Sequence, residues 1–306
     1  MKISVIIPSH NRLLDLKNAV RSVFNQTILP FELIVVDDGS TEAVENSIFD
    51  DAPDGLKCLL LTNKVPLGGN NARNKGIWEA SGEYIAFLDD DDEFFIDKIK
   101  VISEFISKNH EVDLFYHKAE IHMVKEGYVY FSRPTAYENC DDAFKNLLIK
   151  NWVGGTPMVI VKKKALIEVG GFDEQMPALQ DYDLWLRMAK LKMKFMYVNK
   201  PLTKYNYVTK KQTVSKSVKV NEQAILLIEK KFEEDYKKLS KKDYAQYTQW
   251  QYKNIIHRSI LNGQIGLAFK CQFEQLYKYP SFGNFFKFFA ILLGPKFIYK
   301  LKSKGF

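Results

Sequence analysis

Residues 85–95 read IAFLDDDDEFF, an apolar run followed by four aspartates, a glutamate and two phenylalanines. The apolar part predicts a buried strand that ends where the aspartates begin. Carboxylates this close together repel one another and raise each other's pKa unless a positive charge lies among them. One interpretation is a solvated loop in which Asp92 caps the next helix. The other is a set of hard oxygen ligands for Mg²⁺ or Mn²⁺, which is favoured because Asp89–Asp91 follow a strand too apolar to be exposed.

The segments around this strand alternate between strand and helix patterns. Short connections between such segments imply βαβ units, so the expected fold is α/β, a Rossmann-like and mostly parallel sheet flanked by helices. The predicted strands are residues 2–8, 31–41, 56–62 and 83–92, and the predicted helices are 13–26, 67–82 and 94–108. Pro8-Ser9, Asp37-Asp38 and Asp89–Asp92 then lie at the carboxyl ends of strands, where such sheets bind ligands.

The pattern changes after about residue 111. Antiparallel strands are predicted within 112–132, a loop, strand, short helix and glycine turn within 154–174, an amphipathic helix at 180–191 and a strand at 194–207. Beyond residue 215 the sequence is helical and rich in Lys, Tyr and Phe. We therefore divide the chain into a first half (1–110), a second half (111–207) and a basic helical C-terminal appendage (208–306).

Composition narrows the class of protein. The chain of 306 residues is 46% hydrophobic and 26% charged, which is ordinary for a globular protein with a large core. Its three cysteines, Cys58, Cys140 and Cys271, are too widely spaced for a disulfide framework or a CxxC zinc site. The first twelve residues lack a signal-peptide pattern, so a cytoplasmic protein is expected. The sequence contains no GxSxG, Walker A or GxGxxG motif, which excludes the corresponding hydrolase, P-loop and dinucleotide interpretations.

Charge is distributed unevenly along the chain. Residues 1–204 carry 25 Lys and Arg against 30 Asp and Glu, whereas residues 205–306 carry 19 against 7. The basic helices could simply pack with their charges solvated. Alternatively, the stretch FFKFFAILLGPKFIYKLKSK (285–304) combines apolar and cationic residues as helices on an anionic membrane surface do, so peripheral association with the inner face of the cell membrane stays open. Nucleic acid is disfavoured because no known nucleic-acid module accompanies the charge.

Several polar residues have a functional and a structural interpretation. Asp38 could recognise a base N–H or a ribose hydroxyl, or satisfy backbone donors in an Asp-Gly turn. Arg73 could bind a diphosphate in bidentate fashion, or be an ordinary surface arginine. At the start of the helix QDYDLWLR (180–187), Asp181 could be a general base, whereas Asp183 is better explained as a cap. Trp185 could be core or a platform that stacks on a sugar.

Taken together, five segments resemble the inverting family 2 glycosyltransferases. They are VIIPSHNR (5–12), FELIVVDDGST (31–41), NNARNKG (70–76), GEYIAFLDDDDEF (82–94) and GGFDEQMPALQDYDLWLR (170–187). Each is weak alone, but the ordered set is specific, and the resemblance covers about residues 1–205. It implies a GT-A fold in which residues 1–110 are the nucleotide-sugar-binding half and residues 111–207 the acceptor-binding half. It also implies a nucleotide-diphosphate sugar donor and a divalent metal, Mn²⁺ or Mg²⁺.

The resemblance also implies roles for individual residues. On the donor side it assigns nucleotide contacts to Pro8, Ser9 and Asp38, where Asp38 would meet the base, usually uracil. Asp89–Asp91 match the family's DxD element, with Asp91 the direct metal ligand and Asp89 or Asp90 near the metal or the ribose. On the acceptor side, Asp181 matches the second acid of the "ED" pair, the catalytic base, although Gln180 stands where the family commonly has the glutamate.

The acceptor pocket is expected to use a second set of residues. Gly154, Gly155 and Thr156 would open space for the acceptor, or form a plain turn, and Trp185 would lie beside them. The implied reaction moves a sugar, usually from a UDP-sugar, to a hydroxyl of a glycan or lipid-linked saccharide in surface-polysaccharide synthesis. It is a single displacement with inversion. Two alternatives remain: a sugar-nucleotide pyrophosphorylase, although the glycine-rich loop expected within residues 1–20 is missing, and a non-catalytic nucleotide- or carbohydrate-binding module.

Overall fold

The structure is a computed structural model that describes residues 1–136, 143–207, 217–293 and 297. Cys140 and almost all of the stretch after Leu293 lie outside the described residues. The strands are β1 (Ile3–Ser9), β2 (Glu32–Asp37), β3 (Lys57–Thr62), β4 (Tyr84–Phe87), β5 (Glu93–Phe94), β6 (Leu114–Met123), β7 (Tyr128–Phe131), β8 (Val159–Lys162) and β9 (Phe195–Tyr207). They form one mixed sheet in the order β3-β2-β1-β4-β8-β6-β9-β5, with β7 paired to β6.

Helices flank this sheet, which confirms the α/β class predicted from the sequence. They are α1 (Leu13–Phe24), α2 (Gly69–Glu79), α3 (Lys98–Lys108), α4 (Ala143–Ile149), α5 (Lys163–Glu168), α6 (Gln180–Lys190), α7 (Val218–Lys231), α8 (Glu233–Lys237), α9 (Lys241–Leu261), α10 (Ile265–Lys278) and α11 (Phe282–Leu292). Among the described residues, no helix is both long and apolar enough to cross a membrane.

The first half of the sheet is parallel. β1 lies between β2 and β4 and runs parallel to both, and β3 runs parallel to β2. All seven residues of β1 and all six of β2 are buried, as expected of strands covered by helices on both faces. This arrangement brings the carboxyl ends of β1, β2 and β4 to one edge of the sheet.

The second half of the sheet has mixed strand directions. β8 runs antiparallel to β4 and to β6, and β9 runs parallel to β6 through an irregularity at residues 117–119. β7 forms the predicted antiparallel hairpin with β6. The short strand β5 pairs antiparallel with β9, with Glu93 opposite Lys204. The end of β9 is therefore next to the aspartates that follow β4.

This pairing corrects two predictions. The helix expected at 94–108 begins only at Lys98, because Glu93 and Phe94 are in strand β5. The interpretation of Asp92 as a helix cap is wrong, since Asp97 precedes α3 and the Asp92 side chain is buried. Asp92 Oδ1 instead accepts a hydrogen bond from the Asn206 N–H at 2.9 Å. The cause of both errors is the long-range contact with β9, which the local pattern does not contain.

Two apolar cores lie on opposite faces of the sheet, and α1 and α3 cover one of them. On the other face, α2, α6 and α7 share a larger core with the aromatic side chains of Trp152, Tyr182 and Trp185. Helix α2 lies very close to β1 at Gly76, where a Cβ atom would meet Ile6 Cγ2 at 2.6 Å. The contact fixes the height of α2 over the sheet edge, and with it the position of Arg73.

The C-terminal helices divide into two groups. Ala224 and Ile228 of α7 and Tyr247 of α9 belong to the larger core, so this part of the appendage packs on the sheet. The far end of α9 shares a separate small core with α10 and α11, formed by Ile256, Ile260, Ala268, Cys271 and Ile291. Helix α9 therefore joins the main body to the α10–α11 pair.

Candidate active site

The polar strand ends open into a cleft of about 940 Å³. Its walls come from the loops after β1, β2 and β4, from the start of α6, from the end of β9 and from one face of α9. The predicted site residues that line it are Pro8, Ser9, Asp38, Arg73, Asp89, Asp90, Asp91, Gly155, Thr156 and Asp181. These residues come from four segments of the parallel half and two of the second half, and all of them meet in one space.

Arginines lie among the aspartates and relieve their repulsion. Arg12 Nη1 donates to Asp90 Oδ1 at 2.9 Å and to Asp91 Oδ2 at 2.8 Å. Arg73 forms an ion pair with Asp89. Ser9 Oγ donates to Asp90 Oδ2 at 2.9 Å. Burial nevertheless raises the pKa of Asp90 to about 6, against the lowering effect of the Arg12 charge.

The aspartates differ in how far they reach into the cleft. The side chains of Asp89 and Asp91 are 24% and 37% exposed, whereas that of Asp90 is only 7% exposed. No group of three or more His, Cys, Asp or Glu side chains in the described part of the chain is arranged around one metal position. Mg²⁺ bound with a nucleotide commonly takes only one or two carboxylates and completes its shell with phosphate oxygens and water. The carboxylates of Asp91 and Asp89 fit that kind of ion.

The fourth aspartate has a different place. Asp92 lies beneath the loop and is almost completely buried, and burial raises its pKa well above the usual value. The Asn206 side chain donates from Nδ2 to the Asp91 carbonyl at 3.0 Å, while the Asn206 N–H donates to Asp92. These two bonds tie the aspartate loop to the end of β9. Asp92 thus contributes to the position of Asp91 rather than facing the cleft.

Asp38 lines the cleft but already accepts three hydrogen bonds. Its Oδ1 accepts from Asn63 Nδ2 at 2.8 Å and from the Leu67 N–H at 2.9 Å, and its Oδ2 accepts from the Gly68 N–H at 2.7 Å. The carboxylate therefore holds the loop that leads into α2. Its contact with a nucleotide base stays a prediction.

Arg73 is not a surface arginine, so that alternative is wrong. The residue is 7% exposed, lies on α2 and faces Asp89 across the cleft. Its Nε atom has no hydrogen-bond partner among the described residues, and its guanidinium lies over the ring of Phe172 at 5.7 Å from the centroid. A buried guanidinium beside a carboxylate cluster can bind an anionic ligand in bidentate fashion.

Asp181 is the second residue of α6, a helix that begins directly after Leu179, whose backbone is left-handed with φ of 55°. Its Oδ1 accepts from the Tyr182 N–H at 2.7 Å. A Cβ atom on Gly155 would lie 3.7 Å from Asp181 Oδ2, so the glycine leaves open space beside this oxygen. Burial raises the pKa of Asp181 to about 6, against the charges of Arg73 and Arg258. A carboxylate with a raised pKa that faces a cleft can accept a proton near neutral pH.

Asp183, two residues further on, has a structural role. It is fully buried, accepts from Arg187 Nε at 2.8 Å and forms an ion pair with Lys231 of α7. Asp183 therefore joins α6 to the C-terminal region, which is more than the helix cap expected from the sequence.

The assignment of Trp185 to the acceptor side is wrong. Its side chain is fully buried in the larger core, and its Nε1 donates to the Gly154 carbonyl at 3.0 Å. A buried indole cannot stack on a sugar. Gly154 has a φ of +106° and lies behind the cleft wall, whereas Gly155 and Thr156 line the cleft as predicted.

Sequence reasoning missed a second group of cleft residues. Arg12 follows β1 within one of the quoted segments, so its position near a strand end was a usable signal. The other cleft residues that we name here lie outside every sequence motif. They are Tyr205, Asn206 and Tyr207 of β9, Asn221 of α7, and Asn254, His257 and Arg258 of α9. Arg258 is mostly buried and interacts with the charge of Asp181. The C-terminal region thus forms part of the cleft.

Two solved structures share the fold of this chain. The mannosyltransferase PcManGT from Pyrobaculum calidifontis, in complex with GDP-Man and Mn²⁺, aligns over 99% of this chain and 84% of its own, with a TM-score of 0.59 and 14% identity. S. aureus TarS 1-349, in complex with UDP-GlcNAc, aligns over 91% and 92%, with a TM-score of 0.54 and 16% identity. The expected GT-A fold is therefore confirmed.

Relatives in sequence are also named as glycosyltransferases. An uncharacterized glycosyltransferase from Haemophilus influenzae is 29% identical over 306 residues, which is 99% of each chain. The GalNAc(5)-diNAcBac-PP-undecaprenol beta-1,3-glucosyltransferase of Campylobacter jejuni is 28% identical over 285 residues, 90% of this chain and 88% of its own.

The family model described as Glycosyl transferase family 2 matches residues 4–170, more than half of the chain. The match spans the strand ends that carry Ser9, Asp38 and Asp89–Asp91, and it ends just before the helix of Asp181. The ordered motifs, the cleft at the strand edge and this match agree, and the chain belongs to glycosyl transferase family 2.

Proposed function

We propose that this glycosyltransferase moves a sugar from a UDP-sugar to a hydroxyl of a glycan or lipid-linked saccharide during bacterial surface-polysaccharide synthesis. The reaction is a single displacement with inversion at the anomeric carbon. One observation carries the proposal: the carboxylates of Asp89 and Asp91 and the carboxylate of Asp181 line the same cleft. The names of the relatives support the acceptor class, since the Campylobacter jejuni enzyme acts on an undecaprenol-diphosphate saccharide.

We place the sugar donor at the edge of the sheet where the strands β1, β2 and β4 end. The diphosphate lies beside Arg73, which donates to its oxygens, with the nucleoside toward Pro8, Ser9 and Asp38. Asp91, with Asp89, would hold Mn²⁺ or Mg²⁺, and the ion would supply positive charge for the leaving diphosphate. When the diphosphate is bound, the arginine contacts of Asp89 and Asp91 give way to contacts with the ligand.

We place the acceptor beside the first turn of α6. Asp181 accepts the proton of the acceptor hydroxyl as that oxygen attacks the anomeric carbon from the face opposite the diphosphate. The open space next to Gly155 and Thr156 receives the acceptor hydroxyl. No enzyme nucleophile is required, because the acceptor oxygen attacks directly. Membership of a glycosyltransferase family leaves the pyrophosphorylase and binding-module alternatives without support. An anionic membrane surface is the further partner that we propose for the C-terminal region.

The test is nucleotide release from a panel of UDP-, GDP- and dTDP-sugars with Mn²⁺, with Mg²⁺ and with EDTA. We expect metal-dependent release of UDP that is lost in Asp91→Ala. The control is Asp54→Ala, which removes an exposed carboxylate outside the cleft and should leave release unchanged. Release that persists in EDTA, or equally in Asp91→Ala, would contradict the donor assignment. If no nucleotide is released even with lipid-linked saccharide acceptors present, the proposed reaction is wrong.

A further inference from the structure

Helix α11 has two faces of different character. Asn284, Phe288 and Ile291 face α10, where the Phe288 ring lies 4.2 Å from that of Phe269, measured between centroids. Gln272 Nε2 of α10 donates to the Asn284 carbonyl at 3.1 Å. Ser281 caps the helix, since its Oγ accepts from the Asn284 N–H at 3.1 Å. The inner face is therefore packed and hydrogen bonded, and it fixes the orientation of the outer face.

The outer face is apolar and exposed. Phe282, Phe285, Phe286, Phe289 and Leu293 are 85%, 51%, 51%, 47% and 63% exposed, respectively. Their spacing of three, one, three and four residues places them on one side of the helix. A contiguous exposed apolar stripe of this size on a soluble domain marks an interaction site. We call these five residues the aromatic stripe.

The sequence segment that carries the aromatic stripe is cationic. From Gln275 to the last residue the sequence contains six lysines and no aspartate or glutamate. An apolar stripe within a cationic segment of the sequence suits an anionic, apolar surface. A second copy of this chain would bring an equally cationic neighbourhood to the contact, and the two would repel.

We propose that the aromatic stripe docks on the surface of an anionic phospholipid bilayer. The phenylalanine rings enter the boundary between headgroups and acyl chains, and lysines of the same sequence segment meet the lipid phosphates. Helix α11 lies in the plane of the membrane surface and does not cross it. The interaction requires no sugar donor and no metal.

Helix α9 connects the docked surface to the cleft. Its Ile256 and Ile260 pack with α10 and α11, while Asn254, His257 and Arg258 of the same helix line the cleft. Docking would therefore hold the acceptor side of the cleft at a fixed place relative to the bilayer. This consequence rests on the proposed function. If the protein docks in this way, its acceptor is a saccharide attached to a membrane lipid and not a free saccharide.

The test is sedimentation of the full-length protein with vesicles, followed by measurement of the bound fraction. Vesicles of phosphatidylglycerol and phosphatidylcholine in equal parts are compared with pure phosphatidylcholine, at low and high salt. The variant replaces Phe282, Phe285, Phe286 and Phe289 with alanine, which preserves helix propensity. The matched control replaces four exposed apolar residues of the main body with alanine: Leu14, Ile28, Ile96 and Leu226.

We expect the wild type and the matched control to bind the anionic vesicles, more weakly at high salt and without phosphatidylglycerol. The four-alanine variant should require at least about tenfold more lipid for half binding, since membrane affinity scales with buried apolar area. It should keep the circular dichroism and the UDP affinity of the wild type. The proposal is overturned if the wild type stays in solution with anionic vesicles, or if the four-alanine variant and the wild type bind alike. It is also overturned if sedimentation velocity shows a wild-type dimer that the variant dissociates, because a second copy then occupies the stripe.

Asp91→Ala separates this proposal from the proposed function. That variant should bind vesicles like the wild type while losing metal-dependent nucleotide binding. If the wild type binds vesicles but releases no nucleotide, the proposed reaction is wrong and the membrane-docking proposal stands. If the wild type releases nucleotide but does not bind vesicles, the membrane-docking proposal is wrong and the proposed reaction stands.

Discussion

The two walls of the cleft, which we propose bind the donor and the acceptor and therefore call the donor wall and the acceptor wall, are built in different ways. The donor wall consists of residues at or just after the ends of parallel strands: Ser9 ends β1, Asp38 follows β2 and Asp89–Asp91 follow β4. The acceptor wall combines the first turn of α6, the end of β9 and one face of α9, which are far apart in sequence. The donor wall is therefore a property of one fold unit. The acceptor wall depends on how three separate segments pack, and it can differ between relatives that share the donor wall.

The comparison predicts that the two walls can be inactivated independently. Asp181→Asn on the acceptor wall should lower kcat for sugar transfer by about 10²–10⁴-fold, the range that a general base contributes. The affinity for UDP should stay unchanged, because Asp181 does not bind the donor. Steady-state kinetics and calorimetry on the same preparation measure both quantities.

The control for this substitution is Asp183→Asn on the same helix. Asp183 pairs with Arg187 and Lys231, so its loss should lower the free energy of unfolding by about 3 kcal/mol, as when a buried ion pair loses one partner. The kcat of the folded fraction should stay close to that of the wild type. If Asp183→Asn lowers kcat as strongly as Asp181→Asn does, the base has been assigned wrongly.

The pH dependence of turnover gives a second test of the acceptor wall. Burial raises the pKa of Asp181 to about 6, and a general base must be ionised to accept a proton. Activity should therefore be constant well above pH 6 and fall as the pH decreases through 6, reaching about a tenth of the plateau at pH 5. Measurements of kcat at saturating donor and acceptor between pH 5 and 8 check this. A profile that is flat down to pH 5 would contradict the role of Asp181.

Arg258 tests whether the C-terminal region contributes to the acceptor wall. The positive charge of Arg258 lowers the pKa of Asp181, so Arg258→Gln should move the acid limb of the pH profile upward by about one unit. Activity near pH 6.5 should fall several-fold and recover at pH 8. Lys253→Gln, which removes an exposed charge from the same helix, should leave the profile in place. An equal loss at every pH would indicate a purely structural role for Arg258.

The smallest expected effect concerns Trp185, which supports the acceptor wall without touching substrate. Trp185→Phe removes the hydrogen bond to the Gly154 carbonyl and leaves a small cavity, so stability should fall by about 1–3 kcal/mol. The KM for the acceptor should change little. Trp78→Phe, at an exposed position on α2, should cost less than about 0.5 kcal/mol. A higher KM with unchanged stability would show that Trp185 does contact the sugar.

The parallel half of the fold was predictable from local sequence. β1 and β2 are apolar runs bounded by turn residues, and α1 and α3 carry apolar residues at helical spacing. The spacing of apolar residues in these segments indicates directly which residues are buried. The start of α3 and the role of Asp92 were predicted wrongly because strand β5 exists only through its pairing with β9, more than 100 residues away.

The donor wall was predictable for a related reason. Once the strands are known, the carboxyl ends of β1, β2 and β4 must meet, and the side chains there converge. The acceptor wall was predictable only at Asp181, Gly155 and Thr156, through the resemblance to a family. Tyr205, His257 and Arg258 could not be found, because their place in the cleft follows from helix packing that no motif records.

The central claim is that the aspartates after β4 bind the donor with a divalent metal while Asp181 performs the chemistry. Calorimetric titration of UDP in the presence of Mn²⁺ into the wild type, Asp91→Ala and Asp181→Asn tests it most directly. We predict Mn²⁺-dependent binding to the wild type and to Asp181→Asn, and binding to Asp91→Ala that is weaker by about tenfold or more. Equal affinities for all three proteins, or binding that does not change when Mn²⁺ is replaced by EDTA, would contradict the account.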